Sequence, residues 1–485
     1  VAERYWIETL GCPKNQVDSD KLVGTLVADG YEAAGAPEQA DLVVVNTCAF
    51  IEAARQESVD TVLALSDARR DGARLVVTGC MAERYGVELA EALPEVDLVA
   101  PFGASLTGGS WRAAPSDMAP LSAAPSDMAP LSATPVLLGR KPGPGGGTAV
   151  PSFDLLNLPR PTSAAPWSYI KVAEGCDRNC GFCAIPSFRG KQRSRTTESI
   201  LVEVDQLGGP DGRLREVVLV AQDLSSFALD RSSGRTEPRL DGPATGHNRP
   251  IVDLVRAVTE RVGWVRLLYL YPSTLDDALV EAILATGVPY FDLSLQHVSR
   301  PLLKRMRRWG EGERFLDRIA SIRAAEPTAA FRSSFIVGYP GETESDHDLL
   351  LEWIDAAQLD WVGFFPFSNE VGTYAAGLED QIDADLVTER LRECTELQDA
   401  ITARRREELL GATVEVLVDA PGEGRTYREA PEIDGIVSLP VDLPIGSFAE
   451  VVVTGADGPD LIAEPASGAG TPGIRPRAAP VGTAR

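Results

Sequence analysis

The sequence has no run of eighteen apolar residues, so no membrane-spanning helix is expected. Its start lacks the basic stretch followed by an apolar one that marks a secreted precursor, and a cytoplasmic protein is expected. It has no surplus of positive charge: 46 Lys and Arg stand against 71 Asp and Glu, a formal net charge of −25. Such a chain repels nucleic acid over most of its surface and attracts basic partners. An even set of cysteines is also missing. The seven, at 12, 48, 80, 176, 180, 183 and 394, argue against a disulfide framework and for reduced thiols that serve as metal ligands or nucleophiles. Otherwise the 485 residues have the composition of a globular protein, long enough for two to four domains.

What is present divides the chain. Residues 1–104 read as an α/β domain, with strands at 4–10, 41–46 and 74–78 alternating with helices at 17–29, 52–68 and 82–93, the pattern of a parallel sheet. Residues 105–162 read as a low-complexity linker rich in Pro, Gly, Ala and Ser, with AAPSDMAPLS in tandem at 113–122 and 123–132. Residues 163–396 carry six strand-like runs, at 169–172, 216–221, 266–271, 290–295, 331–337 and 361–367. Helical stretches separate them, which predicts a partial (βα)6 barrel with its chemistry at the C-terminal ends of the strands. A polar insertion occupies 230–249. Residues 397–467 read as a leading helix and a small antiparallel β-barrel with strands at 413–418, 435–439 and 449–453, and 468–485 as a disordered tail.

Cys176, Cys180 and Cys183 form C-x3-C-x2-C on a loop after the first barrel strand. Thiolates this close wrap one iron–sulfur cubane, and three ligands leave one iron open. The alternatives are zinc or a redox dithiol. A zinc site needs a fourth ligand, and the next histidine is His247; a dithiol leaves Cys176 without a role. With its barrel context the motif resembles the radical S-adenosylmethionine (SAM) superfamily. The resemblance implies a [4Fe-4S] cluster on Cys176, Cys180 and Cys183 whose open iron is chelated by SAM. It also implies reductive cleavage of SAM to methionine and a 5′-deoxyadenosyl radical, with electrons from a partner such as flavodoxin or ferredoxin.

Cys12, Cys48 and Cys80 are far apart in sequence, yet each directly follows a predicted strand. In a parallel sheet those positions share one edge, where α/β proteins bind ligands. Gly11 and Gly79 permit close backbone approach there. The alternative is three unrelated buried cysteines. The α/β domain with its triad, the radical SAM barrel and the small barrel together resemble the methylthiotransferases over about residues 4–100 and 166–465. That resemblance implies a second [4Fe-4S] cluster on Cys12, Cys48 and Cys80, a TRAM-like C-terminal barrel, one SAM as methyl source, a second as radical source, and a separate sulfur donor.

Within that family, Gly11-Cys12-Pro13-Lys14-Asn15 and Ala430-Pro431-Glu432-Ile433-Asp434-Gly435, the latter after Gly424-Arg425-Thr426, resemble the enzymes of the RimO type. These modify an aspartate β-carbon of ribosomal protein S-twelve. The motifs at 303–308 and 335–344 occur throughout the methylthiotransferases and do not discriminate. Residues 411–465 hold eleven Asp and Glu against two Arg and no Lys, which suits a basic protein or the small ribosomal subunit better than tRNA. A tRNA adenosine methylthiotransferase is the alternative; a non-catalytic iron–sulfur scaffold or electron carrier is the alternative of another class. For the SAM pocket the strand-end positions Gln222, Asp223, Gln296 and His297 are candidates, with Arg332 and Ser334 from the fifth strand and Phe182 from the cysteine loop. The basic run Lys304, Arg305, Arg307 and Arg308 is a candidate for substrate or SAM contact. His247 and His347 are expected at the surface, and Cys394 in packing.

Overall fold

The computed structural model describes residues 2–102, 104, 106, 155–208, 212–231 and 249–466. The tandem repeat, most of the polar insertion with His247, and the tail after 467 lie outside the described residues. The chain forms two units. The first holds the residues up to Arg160 together with Ser187–Arg189 and Glu370–Gly372, and the second holds the rest.

In the first unit, β1 (Arg4–Thr9), α1 (Pro13–Ala28), β2 (Glu32–Ala33), β3 (Leu42–Thr47), α2 (Glu52–Ala68), β4 (Arg74–Gly79), α3 (Cys80–Ala92) and β5 (Leu98–Val99) follow one another. The strands form one parallel sheet in the order β2-β1-β3-β4-β5. All six residues of β3 are buried, as befits a central strand covered on both faces. The two-residue edge strands β2 and β5 are too short to leave a period in the sequence. The stretch 155–160, expected as the end of a linker, packs instead on α1. Leu156 is buried, Lys21 Nζ donates to the carbonyls of Leu156 and Leu158 at 2.9 Å each, and Arg160 pairs with Asp20 at 2.7 Å.

In the second unit β6 (Trp167–Lys171) leads into β7 (Ala173–Glu174) and β8 (Arg193–Ser194); the chain between them passes through α4 (Ile185–Phe188), whose last two residues count with the first unit. The antiparallel pairing of β7 with β8 pins together the two ends of the cysteine loop. Then come α5 (Thr197–Gly208), β9 (Glu216–Val220), α6 (Pro250–Thr259), β10 (Trp264–Leu267), α7 (Asp277–Leu284), β11 (Tyr290–Gln296), α8 (Arg300–Arg305), α9 (Gly312–Ala325), β12 (Ala330–Val337), α10 (Glu344–Ala357), β13 (Trp361–Pro366) and α11 (Ala384–Glu407). Strands β6, β9 and β10 form one parallel sheet and β11, β12 and β13 another, joined by a bridge between Leu270 and Leu293. The result is the expected open six-stranded parallel barrel. The boundary expected at 397 falls inside α11, a continuous 24-residue helix packed on α10 and β13. His347, expected at the surface, is buried, with Nε2 2.8 Å from Glu393 Oε2 on α11. Cys394 is buried in the barrel's core.

The small domain is a closed barrel of β14 (Thr413–Ala420), β15 (Glu423–Arg425), β16 (Val437–Ser438), β18 (Asp460–Pro465) and β17 (Phe448–Asp457), antiparallel except where β16 meets β18. It docks on residues at the N-terminal ends of the parallel strands. Glu216, the first residue of β9, is fully buried and pairs with Arg266 at 2.7 Å and with Arg425 of β15 at 2.8 Å; Arg425 also holds Asp419 at 2.6 Å. Burial works against a charged Glu216, but the two guanidinium groups overcome it and hold its carboxyl below the usual range. Tyr290 donates to Asp434 at 2.6 Å, Tyr169 to the Pro431 carbonyl at 2.6 Å, and Trp361 to the Arg428 carbonyl at 2.7 Å.

Removing one member of this group strands a buried charge. Arg425→Met should cost about 3–5 kcal/mol in the second unit's stability by denaturant melts. The double variant Glu216→Gln with Arg425→Met should recover part of that loss. Equal melts for Arg425→Met and the unaltered chain would show that the charges do not hold the two barrels together.

Candidate functional site

The first cysteine triad is built by the second unit alone. Cys176 follows β7, and its N–H donates to the Gly190 carbonyl at 3.1 Å. The Gly181 N–H donates to the Met306 carbonyl and its carbonyl accepts from Ala375 N, both at 2.8 Å, so the loop is stitched at its middle as well as at its ends. Burial and the Asp223 charge push the Cys176 thiol up to about 12, and burial and Cys180 push Cys183 up to about 12. Two arginines line the triad. Arg178 pairs with Asp223 at 2.6 Å, and Arg308 donates to Cys180 Sγ at 3.1 Å. Both guanidinium groups lie against the Tyr271 ring, at 3.9 and 4.4 Å from its centroid.

The rim next to this loop offers unused acceptors. Gln222 Nε2 donates to Glu174 Oε1 at 2.8 Å, and Glu174 is held by the buried Lys171 at 2.7 Å. Among the described residues, that leaves Gln222 Oε1 buried without a partner. Asp223 takes Arg178 and Ser226 on Oδ2, and its Oδ1 is likewise buried and unpartnered among the described residues. Buried polar atoms are rarely left this way, and a ligand carrying ammonium and hydroxyl donors, such as SAM, would satisfy them. Gln296 ends β11 with a left-handed φ of 72°, and Phe182 packs partly buried against the barrel core. Arg332 is not brought to this rim. It stands third in β12, at the opposite end of the strand, paired with Asp292 at 3.2 Å and Asp434 at 3.4 Å. From the basic run only Arg308 reaches a cysteine; Arg305 pairs with Asp380 at 2.7 Å and Arg307 lies over Tyr374.

The second triad belongs to the first unit. Cys12 caps the N-terminus of α1, Cys48 follows β3, and Cys80 opens α3. Two of the three thiols therefore sit at positive helix ends, which favour negative charge. Gly11 has φ +93°, and a Cβ there would lie 2.8 Å from Cys48 Cβ and 3.0 Å from its sulfur. Gly79, with φ +91°, leaves even less room: a Cβ there would overlap Asn46 Oδ1. Burial opposes ionisation of Cys12, but Lys14, Arg189 and the N–H groups of Asn15 and Lys14 bring its pKa below the ordinary value. Burial and the charges of Cys80 and Cys12 push Cys48 up to about 12, and burial raises Cys80 against the pull of Arg189.

In each triad two thiols thus feel a neighbouring cysteine's charge as a barrier to ionisation: Cys176 and Cys183 that of Cys180, and Cys48 and Cys80 that of Cys12. A polycationic iron core removes that penalty by taking the thiolates as ligands. Among the described residues no three His, Cys, Asp or Glu side chains are gathered as one metal ion requires. A cubane does not ask for this, because each cysteine binds a different iron. The donor sets fit such clusters, three sulfurs apiece.

Three family models match in succession: the uncharacterized protein family UPF0004 over residues 4–101, the radical SAM superfamily over 170–354 and the TRAM domain over 410–465. Curated relatives named ribosomal protein uS12 methylthiotransferase RimO align along nearly their whole length. The protein from Cutibacterium acnes is 40% identical over 95% of this chain and 97% of its own. That from Streptomyces coelicolor is 39% identical over 95% and 96%, and that from Moorella thermoacetica 39% over 93% and 96%. This chain belongs to the RimO methylthiotransferase family.

For a RimO-family chain, sequence reasoning placed Cys12, Cys48 and Cys80 at strand ends and Cys176, Cys180 and Cys183 on the loop after the first barrel strand, and it singled out Arg308 but missed Arg178 and Arg189. Arg178 lies inside the C-x3-C-x2-C motif, and its charge was the one available signal. Arg189 and the pair Arg55 and Arg84, which hold the buried Glu370 at 2.7 Å, come from positions with no shared period. Gly11→Ala should displace Cys48 and destabilise the first unit by about 1–3 kcal/mol. Iron bound after reconstitution should fall while the iron held by the other triad stays. Unchanged iron and melting would mean that the left-handed turn has room the contact distances deny.

Proposed function

We propose that this chain inserts a methylthio group at the β-carbon of an aspartate in ribosomal protein S-twelve (uS12), acting in the cytoplasm on the free protein or the small ribosomal subunit. The end-to-end likeness to relatives bearing that name carries the reading. The small barrel favours a protein over tRNA. Its two arginines face inward: Arg425 is buried on Glu216 and Asp419, and Arg428 lies over Tyr427 near Asp360. Glu423, Glu432, Asp442, Glu450, Asp457 and Glu464 are exposed. Phosphate binding needs the reverse arrangement.

The β-carbon hydrogen has no useful acidity, so acid–base groups alone do not remove it. The two [4Fe-4S] clusters and SAM supply the radical and the sulfur when bound. In this reading Cys176, Cys180 and Cys183 hold one cluster, and Cys12, Cys48 and Cys80 hold the other. Gln222 and Asp223 accept hydrogen bonds from SAM through their unpartnered oxygens, while Phe182 and Gln296 border the same rim. Arg178 holds Asp223 in place, and the Arg308 guanidinium sets its positive charge beside the Cys180 sulfur. A flavodoxin- or ferredoxin-like protein supplies electrons, and a separate donor replaces the sulfur.

Reconstituted protein should bind two clusters' worth of iron, and Cys180→Ala should abolish 5′-deoxyadenosine release from SAM under reduction. Retained cleavage would remove Cys180 from the site. In a deletion strain uS12 should lose its methylthio mass increment, with tRNA nucleosides unchanged; an unaltered uS12 mass, or a lost tRNA modification, would overturn the substrate.

A further inference from the structure

Within the first unit one guanidinium is fixed from several directions around the cysteine triad. Arg189 is 5% exposed. Its Nη2 lies 2.9 Å from Cys80 Sγ and 2.8 Å from Asn15 Oδ1. Nη1 lies 3.4 Å from Asp18 Oδ2, and the group rests 4.7 Å from the centroid of the Phe102 ring. Asn15 is immobilised in its turn, donating to the carbonyls of Leu10 at 2.9 Å and Thr47 at 3.1 Å at the ends of β1 and β3. The guanidinium is thus held by the same strand ends that present the cysteines, and it approaches the Cys80 sulfur more closely than it approaches Asp18.

We propose that Arg189 is a positioning residue for the cluster on Cys12, Cys48 and Cys80, donating an N–H to the Cys80 sulfur and raising that cluster's reduction potential. The proposal rests on the two-cluster reading above. An electron added to a cubane increases its negative charge, and a fixed cation with a hydrogen bond to a ligand sulfur stabilises the reduced form more than the oxidised one. Burial strengthens the effect, since little water is present to screen it. Asp18 offsets part of the charge, but through the other nitrogen and at 3.4 Å against 2.9 Å for the sulfur. Asn15 orients the fork so that one nitrogen faces both its own oxygen and the sulfur.

The test uses the full chain with Cys176, Cys180 and Cys183 all replaced by Ala, reconstituted with iron and sulfide without oxygen. Dithionite supplies one electron per cluster, and electron paramagnetic resonance follows the reduced form against potential. At the parent's midpoint, Arg189→Gln should hold at least tenfold less reduced relative to oxidised cluster, a shift of ~59 mV for one electron. Arg189→Lys, which keeps the charge without the fork, should fall between the two. It also serves as the deciding variant should Arg189→Gln not fold, by a midpoint below the parent's. Midpoints of Arg189→Gln or Arg189→Lys equal to the parent's would overturn the role of Arg189. A parent that binds no iron would instead overturn the two-cluster reading, and the inference with it.

Discussion

Parallel strands finish together. That constraint decides where chemistry can be assembled in this protein, because each strand of a parallel sheet delivers its following residue to the same edge. In the first unit it gathers three cysteines separated by more than thirty residues of chain from one to the next, at the ends of β1, β3 and β4. In the second it sends the cysteine loop out beyond β6 while Gln222 and Gln296 arrive at the ends of β9 and β11. The opposite ends of the barrel strands are thereby left for structure, and the small barrel covers them with Arg425, Asp434 and the carbonyls of 427–431.

This division of ends explains how much was legible beforehand. The six barrel strands and both triads were readable, because a strand–helix alternation predicts an edge and cysteines at successive strand ends predict convergence on it. Arg332 was misjudged for a related reason. Membership of a strand was treated as a position at its reactive end, whereas three residues from the start of an eight-residue strand lies at the other. The strands β2, β5 and β15 have two or three residues and no period to detect, and β18 was hidden behind a turn. His347 was read as surface because one residue in a helix carries no sign of which face it occupies; its partner Glu393 is 46 residues away.

The acidic composition also resolves into something more particular. Arginines in the second unit are largely drawn inward to carboxylates, as in Arg266 and Arg425 on Glu216, Arg406 on Glu429 and Arg390 on Glu342. Arginine suits such places because its planar fork meets several acceptors at once and stays charged when buried. With the cations inside, the excess of Asp and Glu is left for solvent, and the outer face of the small barrel is more negative than its residue count alone implies.

Lys21 bears on a different part of the chain. By gripping the carbonyls of Leu156 and Leu158 it ties the returning backbone to α1, and Leu106 and Leu155 share one apolar cluster in the first unit. The path that leaves at 106 therefore comes back to the body it left. With both ends fixed, the entropic cost of joining them grows only logarithmically with the number of residues between them. The two described ends, at 106 and 155, are therefore anchored in the first unit whatever the length of chain that joins them.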